Sequence, residues 1–170
     1  TFTTLTNKGL ITSDSAYGIN NAGTITTLNN LQGASSSALT YDGKLPANYN
    51  VIVNSTTDYG KTTFSDVSGS TNFGIHSSST LVEGTTYSTV LSNLSSSDIA
   101  SGTSGSIVSG ALRRNWTLSN SSGNLWDLVV AADTYWTGDG TGLQFAQIYE
   151  EGGSSTLDLA AQDTYYQVTA

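Results

Sequence analysis

The phrase Thr3-Thr4-Leu5-Thr6-Asn7 returns 23 residues later as Thr26-Thr27-Leu28-Asn29-Asn30. Between the two copies an Asn-x-Gly-x-Ile unit occurs twice, as Asn7-Gly9-Ile11 and Asn21-Gly23-Ile25. Repeats of this size, with Gly and Asn at corners and one apolar residue per inward step, are the signature of a β-solenoid. Such a fold needs about three stacked rungs before it buries a useful core. The motif supplies two, with a fading third around Leu31 to Leu39. The ends of so short a stack must be covered by the rest of the chain or by another molecule, which points to assembly rather than catalysis.

The composition fits an all-β chain. Ser and Thr make up roughly 30% of the residues, β-branched and aromatic side chains are abundant, and helix formers are scarce. With 36% apolar residues, 3 Trp and 9 Tyr, the chain carries enough apolar surface to fold despite only 11% charged residues. There is no Cys, which excludes disulfides and thiolate chemistry, and no Met, which predicts a processed product or an excised fragment. A secreted-looking chain without disulfides points to a bacterial or archaeal surface protein. No apolar run approaches the ~18 residues that span a membrane.

The net charge is −8, and past Arg113 and Arg114 the acidic residues go unbalanced through Asp163. An acidic surface repels phosphate backbones, so nucleic acid is not an expected partner.

Along the chain, residues 1–42 read as the solenoid-like region and 43–170 as an antiparallel β domain, with Tyr41-Asp42-Gly43-Lys44 as a turn and Pro46 closing it. Alternation predicts strands at Tyr49–Val53, Thr62–Val67 and Thr71–His76, the last two as a hairpin across Ser68-Gly69-Ser70. Ser95–Gly105 reads as a loop. The clearest hairpin joins Asn115–Ser119 to Leu125–Val130 across Asn120-Ser121-Ser122-Gly123, with Trp116, Leu118, Trp126, Leu128 and Val130 turned toward a core. The expected fold is all-β: short N-terminal solenoid rungs followed by an antiparallel β-sandwich or β-roll.

Three stretches carry a family resemblance: Ala38 through Asn54 with its Tyr-Asp-Gly-Lys-Leu-Pro core, Thr71-Asn72-Phe73-Gly74-Ile75, and Asn120 through Val129. With the Asn-x-Gly-x-Ile rungs they resemble passenger modules of autotransporter-type adhesins, the long secreted surface proteins of Gram-negative bacteria. The resemblance spans about residues 3–130. It implies an extracellular or cell-surface location and a structural or adhesive role, and carries over no catalytic or binding residues.

Candidate chemistry is sparse, and an enzyme is not expected. His76 is the lone possible base for a Ser-His-Asp arrangement, and no nucleophile elbow accompanies it. Glu83, Glu150 and Glu151 could form a carboxylate pair for glycoside hydrolysis, though the Gly-Gly after Glu151 reads as a solvated strand end. The glycine-rich run from Asp133 to Gly142 could hold calcium through Asp133 and Asp139, but Tyr135 and Gln144 stand where an EF-hand needs oxygen ligands. Apart from possible calcium, no cofactor is implied. Trp136 and Tyr135 could stack on a sugar. The strand-like termini, with Phe2 and Leu5 at one end and Tyr165 and Val168 at the other, are candidates for strand addition to neighbouring subunits. The expectation is therefore a structural subunit of a surface fibre, sheath or layer whose partners are copies of itself. The alternative is a monomeric adhesive or carbohydrate-binding module engaging surface glycans.

Overall fold

The computed structural model describes residues 1–14, 16–109 and 112–132. Among them the strands are β1 (Phe2–Asn7), β2 (Ile19–Asn21), β3 (Ile25–Asn30), β4 (Leu39–Lys44), β5 (Asn48–Val51), β6 (Thr62–Ser68), β7 (Thr71–Ile75), β8 (Thr86–Ser92), β9 (Ile99–Ser101), β10 (Ser104–Ser109), β11 (Leu112–Ser122) and β12 (Leu125–Val130). Thr1–Ala131 form one compact unit.

Successive strands from β1 to β9 alternate between two sheets. One sheet is β1-β3-β5-β7-β9, parallel throughout. The other begins with the parallel strands β2-β4-β6-β8 and continues with β12, β11 and β10, all antiparallel. Each rung of the solenoid is thus one odd and one even strand, and the chain climbs one rung at a time. The all-β class, with rungs first and antiparallel strands after, matches the sequence expectation.

Parallel register puts equivalent residues on top of one another, and the core follows from that. Leu5, Leu28, Tyr49 and Phe73 form one inward column, and Tyr41 stacks beside Phe64 in the other sheet. Tyr49 and Phe73 lie with ring centroids 6.2 Å apart, and Tyr41 and Phe64 5.5 Å apart. Leu28, Leu39, Tyr41, Tyr49, Val51 and Phe64 are fully buried. Burial of a side chain of this size contributes about 1.5–3 kcal/mol, so the columns dominate the stability of the stack.

Several local expectations are corrected. Residues Leu31 to Leu39 do not form a third rung; residues 31–38 link β3 to β4, which begins at Leu39. The two Asn-x-Gly-x-Ile units are two corners of a single rung, and the 23-residue phrase marks the step between rungs. Tyr41-Asp42-Gly43-Lys44 is strand, not turn, and residues 42 and 43 fall inside β4. Gly43 is required there by position: its φ is +89°, and a Cβ would come within 2.5 Å of the Asn21 carbonyl oxygen. The hairpin expected across Ser68-Gly69-Ser70 is absent. β6 and β7 lie in different sheets, and the segment is a rung corner. The Ser95–Gly105 loop contains a 3-10 turn, Ser96–Asp98, and β9, and runs into β10. Small polar residues give these strands little propensity of their own, and pairing to β7 and β11 decides them.

The β11–β12 hairpin forms as expected, with Trp116, Leu118, Trp126, Leu128 and Val130 buried. The two indoles do not face each other across it; Trp116 sits opposite Val130 and packs edge-on against Phe73 with centroids 5.7 Å apart. Trp126 donates its indole N–H to the Leu94 carbonyl at 2.8 Å.

Candidate assembly surface

The corners explain the repeated motif. Oδ1 of Asn7 accepts the N–H of Gly9 at 3.1 Å, and Oδ1 of Asn21 accepts that of Gly23 at 3.0 Å. Each Asn therefore folds its own turn through a local side-chain bond. Its amide nitrogen is left to reach the next rung. Asn21 Nδ2 donates to the Tyr41 hydroxyl at 2.9 Å and the Lys44 carbonyl at 2.7 Å. Asn7 Nδ2 donates to Asn30 Oδ1 and Gln32 Oε1, both at 3.0 Å.

Gln32 completes that corner. Its side chain accepts the Ile11 N–H at 2.7 Å and donates to the Ile11 and Ser37 carbonyls. Asn30 donates onward to Thr62 Oγ1 and the Lys61 carbonyl at 3.2 Å, and Thr62 shares a 2.7 Å hydrogen bond with Tyr49. Asn7, Asn30, Gln32 and Thr62 are all buried, and this network lets them be so. Burial is the main cause that raises the Tyr49 phenol to about 12, against the lowering effect of its bonds with Thr62 and Asn30.

At the first rung the apolar strand residues are more exposed than their equivalents one rung on. Phe2 is 61% exposed, whereas Ile25, its neighbour one rung on, is 4% exposed. Leu5 and Ile19 are half-buried, whereas their neighbours Leu28 and Tyr41 are fully buried. Leu10, near the same end, is 62% exposed. Among the described residues β1 pairs on one side alone, with β3, and β2 with β4 alone. The six residues of β1 include no charge and no Pro, two of the usual protections of a sheet edge. The first rung covers the second; among the described residues no strand pairs with the outer edge of the first, although its corner residues Asn7 and Asn21 are buried.

The two ends differ. In the second sheet the last parallel strand, β8, is covered by antiparallel β12. In the first sheet the last strand, β9, has three residues, and its pairing with β7 is shifted between Thr71 and Asn72.

Of the residues singled out in the sequence, Phe2 and Leu5 lie at the open end. Tyr165, Val168, Asp133, Asp139, Tyr135, Trp136, Glu150 and Glu151 lie outside the described residues. His76 closes a turn, its Nδ1 bonded to the Ser78 hydroxyl at 2.8 Å and accepting the Ser78 N–H at 3.2 Å. Glu83 pairs with Arg114 at 3.6 Å. Among the described residues no group of three or more His, Asp or Glu could hold a metal ion, and no helix is long and apolar enough to cross a membrane. Sequence reasoning missed Gln32 and Thr62, which carry no motif and acquire their role from the rung above or below. No protein-family model, curated protein or solved structure matches the chain.

Proposed function

We propose that this chain is a structural subunit of an extracellular or cell-surface assembly, joined to its neighbour by rung stacking on the open face of β1 and β2. The observation that carries this reading is the contrast between equivalent residues: Leu5 and Ile19 are half-buried where Leu28 and Tyr41 are fully buried. One further rung would finish their burial and pair both strand edges at once. The extracellular or cell-surface location is what the resemblance to secreted surface modules implies. The covering rung is supplied by a copy of this chain or by another polypeptide segment.

The test is whether the first rung accepts another. A chain extended upstream of Thr1 by one more solenoid rung is expected to melt several degrees higher and to show slowed amide exchange in β1. The same extension on a Leu5→Lys chain is expected to gain nothing. At the open end a lysine can reach water, but beneath a rung its charge is buried. An extended chain no more stable than the original overturns the reading. Electron microscopy of the unextended chain at high concentration reports the supplier, with ordered filaments identifying copies of itself.

A further inference from the structure

We draw no further inference here: the strongest candidate, the outer edge of β10 in the second sheet, where an uncharged strand pairs with β11 alone among the described residues and Val108 is 62% exposed, is an unpartnered edge, and nothing in the structure shows what covers it.

Discussion

The backbone N–H of Thr89 donates to Oδ1 of Asp127 at 2.6 Å, at the point where the parallel stack turns antiparallel. Thr89 has φ +57°, a left-handed conformation that is costly for a β-branched residue. The β8–β12 pairing shifts register between Trp126 and Leu128, so Asp127 is free to reach across the irregularity. A carboxylate thus holds in place the backbone distortion that lets β12 run against β8. Asp127→Ala is expected to cost about 2 kcal/mol, the range of a hydrogen bond to a charged group. Adding Thr89→Gly should restore part of the loss by relieving the strain. Urea unfolding of the single and double variants checks both.

Asn30 is the most heavily used corner residue, bonding Asn7, Gln32, the Lys61 carbonyl and Thr62. Asn30→Val keeps strand propensity but leaves buried partners unpaired, at an expected cost of about 3 kcal/mol. Position 51, one rung on, already carries Val, so size alone is not the objection. An Asn30→Val chain as stable as the parent in urea would show that the network contributes nothing.

Gly60 sits where two rungs touch: a Cβ there would lie 2.1 Å from the Asn30 carbonyl oxygen. Because the obstacle is backbone, Gly60→Ala is expected to cost about 3 kcal/mol or more. At Gly9 a Cβ meets nothing within 4 Å, so Gly9→Ala is the matched control and should be nearly neutral. Thermal melts of the pair separate packing from a general effect of removing glycine.

Buried phenols set the alkaline limit. Burial raises Tyr49 to about 12 from an ordinary 10.0, and raises Tyr41 and Tyr87 as well. Since the folded values lie above the unfolded ones, their contribution is fully present below pH 10.0 and is lost as the pH climbs toward 12. Phenolate absorbance and circular dichroism are expected to change together across that window. Tyr49→Phe should move the alkaline midpoint upward while costing about 1 kcal/mol at neutral pH through the lost bond to Thr62.

What the sequence made legible was whatever is local. The Asn-x-Gly corners, the Trp116–Trp126 hairpin strands and the period-2 strands at Thr62 and Thr71 depend on near neighbours, and all can be placed by inspection. The pairing of the strands at Thr62 and Thr71 could not. Thr62 and Thr71 are separated by a Ser-Gly-Ser that spells a hairpin turn, yet each strand pairs with partners a whole rung away. The motif also fades where the fold does not: Val51 and Ile75 replace the corner Asn because packing suffices there, which made the solenoid look shorter than it is. At the open end, Phe2 and Leu5 were visible as apolar residues in a terminal strand. The bonds from Asn7 to Asn30 and from Asn29 to Thr6 were not, because they exist only once the rungs are stacked.

The antiparallel strand beside β8 gives this molecule a handed place in any series it joins. A stack that closes its second sheet by reversing direction carries its own full stop. In that sheet, among the described residues, no parallel strand follows β8.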